Sequence, residues 1–585
     1  MYRLNQVKLN IYHSDYDFKS KIAKLVKVSV DDIEWPTLII LHKSIDARDK
    51  KNILFVYNVA FDFVGADIIR PLERYEPVSF NPIVGDDILS SRIRPQSVRA
   101  SSTSPNTTRP VVVGFGPAGI FASYIFALNG LKPIVIERGK ALEDRIKDVD
   151  KFFETMELNE ESNVCFGEGG AGAFSDGKLN TNNKDKTGVY HFILETFVKF
   201  GADERILYEN MPHIGTDKLV NVIKNIRDEI IKLGGEIFYN TKLVFKDGKM
   251  WCRGGHFVRP ENTPIVLAIG NSSRDTFREL IENGFDLKPK PFAIGYRIAH
   301  RQEMIDDAQY GAGGPVREKL GPATYKLTYD VGNGHSVYSF CMCPGGYIIN
   351  SSNFKNVLSI NGMSYNDRSG IYANSAIVES ISPEDILGSQ CSPLQDDALK
   401  MIEFQEIIEK RAFELEKGFI PYVTSGGRDI CLEEVFKGKA KYSEKLREVF
   451  EGIGLSFNIN EDIEKALQHF NKIIPGFFSA GSQCSPLQDK SNTKGTTKCR
   501  PLQSELDKDR TTECRPLQDE LPHYIIAGVE TRTSSPVKLE RDENYMCNVP
   551  NYYPCGEGLG HGGGIMSCAV DGINTALKVI EHKYA

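Results

Sequence analysis

The residues best placed to do chemistry in this chain lie in a few dense clusters of glycine, cysteine and charge. In Val111-Val-Val-Gly-Phe-Gly-Pro-Ala-Gly119, the residues Gly114, Gly116 and Gly119 have the spacing G-x-G-x-x-G. An apolar run leads in and a helical run leads out, so the segment reads as strand, tight turn and helix around the phosphates of a dinucleotide. Gly114 permits the turn, Gly116 lets a pyrophosphate approach the backbone, and Gly119 lets helix and strand pack closely. The helix opened by Pro117 and Ala118 offers unpaired N–H groups and the positive end of its dipole. Glu137 ends the next apolar run, 18 residues after Gly119, with Arg138 beside it. An acidic residue there hydrogen-bonds the ribose hydroxyls of a bound adenosine.

Two further glycine clusters follow. Asn163-Val-Cys-Phe-Gly-Glu-Gly-Gly-Ala-Gly-Ala-Phe-Ser-Asp-Gly-Lys178 holds five glycines in eleven positions, among them Gly169 and Gly170 before Ala171. Such a loop has few side chains to pack, so its backbone is the expected working surface. More than four hundred residues after the first turn, Tyr553-Pro-Cys-Gly-Glu-Gly-Leu-Gly-His-Gly-Gly-Gly-Ile-Met566 opens a second helix. Cys341-Met-Cys343 is too tight for a comfortable disulfide and ends a predicted strand. It reads as packing, with an active-site thiol as the alternative. No second G-x-G-x-x-G follows a strand, which gives no evident separate NAD(P) domain.

The elements that must position these residues can be read from periodicity. Val7 to Tyr12, Leu38 to Leu41 and Ile53 to Phe61 read as strands and Phe18 to Val26 as a helix, making residues 1–95 a small N-terminal α+β domain. Lys43 to Lys51 reads as a charged connection within it, a solvated loop or a contact with ligand or main body. Residues 96–109, rich in Ser, Thr, Pro and Arg, form a linker by composition. Ala118 to Asn129 is the helix and Pro133 to Glu137 the second strand of a βαβ unit. Leu219 to Leu233 has one apolar face, and Glu236 to Phe245 and Pro264 to Ile269 read as strands.

At residues 388–396 and 481–489 the sequence Gly-Ser-Gln-Cys-Ser-Pro-Leu-Gln-Asp occurs identically, and Cys484, Cys499 and Cys514 are 15 apart. This polar material can bury little, so residues 481–521 read as a low-complexity insertion. With no C-x-x-C and no partnering His, no metal site is expected.

The bulk numbers bound the function classes. A chain of 585 residues exceeds one simple core, and about two to four domains is the prior. A net charge of −7 gives no general case for binding nucleic acid or an anionic membrane. No run approaches the roughly 18 apolar residues of a membrane span, and the N-terminus lacks the apolar core of a signal peptide. Twelve cysteines without a disulfide pattern suit a reducing, cytoplasmic setting.

The order of the glycine clusters resembles the glutathione-reductase-like superfamily of FAD-binding proteins. The resemblance implies that the first turn grips the adenosine side of FAD and that the terminal run closes over pyrophosphate and ribityl. It implies that the loop around Gly169, Gly170 and Ala171 passes the pyrophosphate and ring, with Lys178 or Asp176 facing flavin or substrate. Leu243 matches a position whose backbone meets adenine, and Val266-Leu-Ala-Ile-Gly270 the apolar strand under the cofactor. Gly556 and Glu557 stand where a Gly-Asp contacts the ribityl hydroxyls, with the helix around Gly564 and Ile565 facing the phosphate and the flavin carbonyl end. The C-x-x-x-x-C redox pair of some relatives is missing.

More specifically, the chain is similar to the FAD-dependent, or NAD(FAD)-utilizing, dehydrogenases. The matching stretches are Lys43-Ser-Ile-Asp-Ala-Arg48, Phe166 to Leu179, His213-Ile-Gly-Thr-Asp217, Tyr338 to Gly346, Asn361-Gly-Met-Ser364 and Glu530 to Pro536. The family implies a FAD fold, a small N-terminal domain and oxidoreductase activity. Substrate-side candidates are Arg297, His300, Tyr338, Arg368 and Arg532. The arginines suit an anionic substrate or charge developing on a reduced flavin, and His300 suits a general base.

The expected fold is α/β with α+β insertions. A Rossmann-like FAD domain at residues 110–290 is interrupted by an inserted mixed domain at 291–475 and completed by residues 525–585. The expected function is a FAD-dependent oxidoreductase that binds FAD non-covalently and acts on a small molecule, with an external electron donor or acceptor. The alternatives are a flavin-dependent tRNA-modifying protein and a flavin-binding scaffold without turnover.

Overall fold

The computed structural model describes residues 1–63, 73–83, 108–180, 185–246, 249–253, 262–311, 314–332, 334–388, 395–416, 446–478 and 524–584. The 481–521 repeats and most of the 96–109 linker lie outside these residues.

The chain is mixed α/β, built on two five-stranded sheets with a smaller third at the N-terminus. The first runs Tyr552–Pro554, Ile265–Leu267, Val111–Val113, Ile134–Ile136, Glu236–Phe238, all parallel. Val111, Val112, Ile265, Val266 and Leu267 are wholly buried, as a sheet covered on both faces requires. Helices Pro117–Leu128 and Gly564–Lys583 lie against each other on one face, so the first and last glycine clusters meet although they are far apart in sequence. Two glycines make this approach feasible. A Cβ on Gly119 would collide with the Gly114 carbonyl oxygen, and one on Gly572 with the Ala118 carbonyl oxygen.

The second sheet is antiparallel, in the order Thr328–Gly332, His335–Cys343, Tyr372–Ile381, Phe292–Arg301, Tyr524–Glu530. Helices Gln302–Tyr310, Gln395–Glu416 and Ile459–Ile473 contribute to its core. Its edge strand corrects a boundary: Tyr524–Glu530 pairs with Phe292–Arg301, whereas the sequence reading assigned residues from 525 onward to completion of the FAD domain. Only after Glu530 does the chain return, through Val537–Leu539 paired with Leu287–Pro289, to Tyr552–Pro554 in the parallel sheet.

The N-terminal sheet has the order Ile33–Asp46, Leu54–Phe63, Tyr2–Asn10, Glu73–Arg74 and packs the capped helix Asp15–Val26. The second strand runs on through Asp46, so much of the expected charged loop is strand. Its backbone docks this sheet on the rest of the chain: the Tyr208 carbonyl accepts from Lys43 N–H at 2.7 Å, and Asn210 N–H donates to the Lys43 carbonyl at 2.9 Å. The predicted strand Glu236 to Phe245 is two elements, Glu236–Phe238 and Lys242–Lys246, the latter in a separate hairpin with Lys249–Arg253.

Candidate functional site

The carboxyl ends of the parallel strands open into a cavity of about 510 Å³, whose wall is completed by residues from the second sheet. Such a crevice at the strand ends is where ligands of open α/β sheets bind. Of the residues singled out in the sequence, Gly114, Gly116, Pro117, Ala118, Glu137, Arg138, Gly170, Ala171, Lys178, Leu243, Gly270, Arg532, Gly556, Glu557, Gly564 and Ile565 all line it. Gly119 and Gly169 do not: Gly119 is spent on helix packing, and Gly169 turns towards Ile223 and Ala173.

The turn at Gly114 to Gly119 is held by Glu137. Its carboxylate accepts the N–H groups of Phe115 at 2.8 Å, Gly139 at 2.9 Å and Gly167 at 3.0 Å, joining three loops at one buried anion. A carboxylate offers about four acceptor positions, so one is left for a ligand hydroxyl. Arg138 is compensated by Glu161 and Asp275 and lies 3.8 Å over the Phe166 ring. Arg145, which sequence reading missed, is wholly buried and donates to the carbonyls of Asn163, Val164, Gly167 and Glu168. One cation thereby shapes the glycine-rich loop that the sequence identified by composition alone.

The bare glycines at the cavity surface test whether a large ligand fits. A Cβ on Gly116 would have Gly170 Cα as its nearest neighbour, at an ordinary 3.6 Å, and one on Gly270 or Gly564 would meet nothing within 4 Å. Packing does not demand glycine at Gly116 or Gly270, whereas Gly564 has a φ of 77°, left-handed backbone that itself favours glycine.

The remaining wall carries charge. Asp176 is 1% exposed and is bound by Arg368 at 2.6 and 3.1 Å, by Lys178 at 3.0 Å and by the Ser364 hydroxyl. Burial opposes its ionisation, but Lys178 and Arg368 outweigh that and hold the carboxyl well below the usual range. Burial likewise opposes the Lys178 charge, and Asp176 with the nearby thiols of Cys343 and Cys341 overcomes it. His213, against the Asn366 carbonyl at 3.0 Å, is pushed down to about 4 by burial and by Arg368, and is neutral at pH 7.

Arg532 is gripped by both oxygens of Glu409 at 2.9 and 2.7 Å, and donates to Ser272 at 3.1 Å and Asn353 at 2.5 Å. Glu409, wholly buried, also pairs with Arg274 at 2.7 Å and accepts from Thr531 at 2.6 Å. Burial pushes Glu557 up to about 7, although it accepts from Asn271 Nδ2 at 2.9 Å.

Two catalytic candidates lie off the wall. Arg297 is wholly buried behind it, bound to Glu530 at 3.0 Å, Asn374 at 2.7 Å and Asn361 at 3.3 Å. Glu530 and Asn361 line the cavity, so Arg297 braces the wall without reaching it. His300 meets the Phe477 carbonyl at 2.9 Å and stacks on the Phe477 ring at 4.2 Å within the core of the second sheet. It is a core histidine. Tyr338 packs on that same sheet, and Arg368 serves Asp176.

Three cysteines show the reverse. Cys165, Cys341 and Cys568 line the cavity, and for Cys341 this reverses the reading of the Cys-Met-Cys run as packing. The signal in the sequence was the same Cys-Met-Cys run, whose placement depends on the second sheet. Among the described residues, no group of His, Cys, Asp or Glu is arranged to hold a metal, and no helix is long and apolar enough to cross a membrane.

Residues 291–488 match the family model described as FAD-dependent protein, C-terminal domain-like, and residues 1–62 match a domain of unknown function. A protein of Clostridium beijerinckii, described as uncharacterized, is 38% identical over 584 residues, covering 99% of this chain and 98% of its own. Among solved structures, glycerol-3-phosphate dehydrogenase from Bacillus halodurans complexed with FAD is 12% identical, covering 47% of this chain and 48% of its own, with a TM-score of 0.22. An L-amino acid deaminase from Proteus vulgaris lacking its specific insertion is 13% identical, covering 36% and 66%, with a TM-score of 0.20. Likeness at these TM-scores carries no argument about this chain.

Proposed function

This chain belongs to the family of FAD-dependent proteins, and from that premise we propose that it is an oxidoreductase whose FAD lies non-covalently in the cavity at the strand ends. When bound, FAD supplies two-electron transfer. The protein's part is to hold it, shape the space beside it and set the charge there.

The turn from Gly114 to Ala118 and the helix it opens receive the pyrophosphate, whose charge suits a helix N-terminus. The remaining acceptor position of Glu137 takes a ribose hydroxyl, and Thr241 to Leu243 border the adenine. Gly556 to Ile565 close over the ribityl chain, with Glu557 protonated below about pH 7, so that it can donate as well as accept. Lys178, Cys341, Asn361, Glu530 and Arg532 form the wall that a small-molecule substrate meets. Glu409, shared with Arg274, holds Arg532 in place as a fixed hydrogen-bond donor. Lys178 is 28% exposed and faces the cavity, and with Asp176 it favours negative charge developing on the cofactor or carried by the substrate.

The observation that carries this reading is the pair of glycines at Gly116 and Gly270, whose missing side chains leave room for a ligand and fill no need of the fold. Gly116→Val tests it. The variant is expected to keep its melting transition and to lose bound flavin, seen as loss of yellow colour and of FAD in the heat-released supernatant. A variant that retains its full flavin complement would overturn the placement.

A further inference from the structure

Cys341 and Cys343 sit at a defect in a strand that is otherwise regular. His335–Cys343 pairs with Tyr372–Ile381 in steady register until Phe340, where a bulge intervenes before Cys343. Cys341 lies in that bulge with φ of 46°, left-handed backbone that costs a non-glycine residue about 1–3 kcal/mol. Bulges of this kind re-aim side chains and recur beside active sites. Here the bulge puts Cys341 on the cavity wall, partly exposed, with Cys343 buried behind it.

The surroundings are those of a reactive thiol rather than a packed one. Lys178 Nζ lies 3.8 Å from Cys343 Sγ, and Arg297 donates to the Cys341 carbonyl at 3.4 Å. Among the anions of the same cluster, Asp176 is shared by the two cations Arg368 and Lys178, the latter at 3.0 Å, and Glu530 is matched by Arg297. Cys343 Sγ also donates to the Cys341 carbonyl at 3.3 Å, which folds the two residues towards each other. In an unbroken strand, residues two apart are separated by about 6.6 Å at Cα, at the limit for a disulfide. The bulge removes the extended geometry that sets this limit.

We propose that Cys341 and Cys343 are a redox-active dithiol that exchanges two electrons with the FAD of this cavity, and that the substrates of the site are thiols or disulfides. The proposal rests on the FAD reading above. The Cys341 thiolate and the Cys343 thiol form one S–S bond, giving up two electrons and the Cys343 proton, all of which pass to the bound FAD. A substrate thiolate then attacks Cys341 Sγ and displaces Cys343. A second substrate thiolate attacks the mixed disulfide, frees Cys341 and leaves as the substrate disulfide, and an external two-electron acceptor takes the electrons back from the flavin. The charge environment fits this division of labour: a hydrogen bond from Cys343, with Lys178 and Arg297, holds the Cys341 thiol well below its ordinary range, while the same hydrogen bond and burial push Cys343 up.

The test uses the full-length, FAD-loaded protein, equilibrated anaerobically across ratios of oxidised to reduced dithiothreitol, quenched with acid, alkylated and mapped by mass spectrometry. The expected result is a peptide containing Cys341 and Cys343 that passes as one unit from two alkylated thiols to none. In the fully reduced protein, Cys341 is expected to alkylate at neutral pH ahead of the other cysteines. Lys178→Met should move the midpoint of the Cys341 alkylation pH profile up by about one unit, and Lys178→Arg should restore it. Two thiols that stay alkylatable at every ratio, or a Cys341 pH profile centred near the ordinary value of about 8.5, would overturn the proposal. Flavin absorbance in the same samples is a separate readout: colourless protein would count against the cofactor reading, while the thiol map still decides on the dithiol.

Discussion

The two ends of the cavity are made in different ways. The end bordered by Gly114 to Ala118 is backbone: one strand, one turn and one helix between Val111 and Leu128, stapled by Glu137 through three N–H groups. The end bordered by Lys178, Cys341, Glu530 and Arg532 is side chain. It draws on residues as distant in sequence as Asp176 and Arg368, or Glu409 and Arg532, and sets each of these buried carboxylates between two cations. A nucleotide offers the same phosphates in every protein that binds it, so a local motif can meet it. A substrate-facing wall needs particular charges at particular points, and only tertiary structure delivers those.

This difference predicts where the molecule is brittle. Glu409→Ala would leave Arg274 and Arg532 without their shared carboxylate, and a loss of about 3–5 kcal/mol in urea unfolding is expected for breaking such a buried pair. An unchanged midpoint would mean that the charged end is not held as described. Gly119→Val should cost about 3 kcal/mol, because its side chain would be driven into the Gly114 carbonyl. Gly116→Val, three residues away in the same motif, should leave stability within about 1 kcal/mol. If the two variants unfold alike, the division between glycines that serve the fold and glycines that serve the ligand fails.

Away from the cavity, Glu379 sharpens the contrast as a buried carboxylate with no Lys or Arg ion pair among the described residues, its Oε1 3.8 Å from His335 Nδ1. Burial pushes it up to about 8, with Asp462 and Asp385 adding to the effect. Its pKa is higher folded than unfolded, so the native state holds the extra proton. The stability it contributes is full below about pH 4.3 and is lost as pH rises towards 8. Unfolding measured at fixed pH across that window should show the decline in the parent chain and a flatter profile in Glu379→Gln. Identical profiles would contradict the assignment. The smallest effect is expected at the N-terminal junction. Lys43 docks through its backbone and places its ammonium 4.3 Å from the Phe55 ring centre, so Lys43→Ala should cost about 0.5–1 kcal/mol by thermal unfolding.

Legibility in the sequence follows the same line. The strand, turn and helix at Val111 to Leu128 could be read because each glycine answers a local demand, and Glu137 could be found by its distance from them. Its main partners could not, since Gly167 N–H arrives from another loop. Arg297 and His300 suit an anionic substrate and a general base by residue type, but the strand that carries them is buried on both faces, so both are spent inside the protein. Tyr524–Glu530 was assigned to the wrong sheet because an edge strand carries no mark of its partner in its own pattern. Cys341 read as packing because a regular strand would have buried it, and no residue type announces the bulge that turns it outward.

The most direct measurement is a crystal structure of the protein loaded with FAD. The account predicts the pyrophosphate on the backbone from Gly114 to Ala118, adenine against Thr241 to Leu243, and the flavin ring within contact distance of Cys341 Sγ. FAD bound with its ring away from the wall of Cys341 and Lys178, or its pyrophosphate away from Gly116, would contradict it.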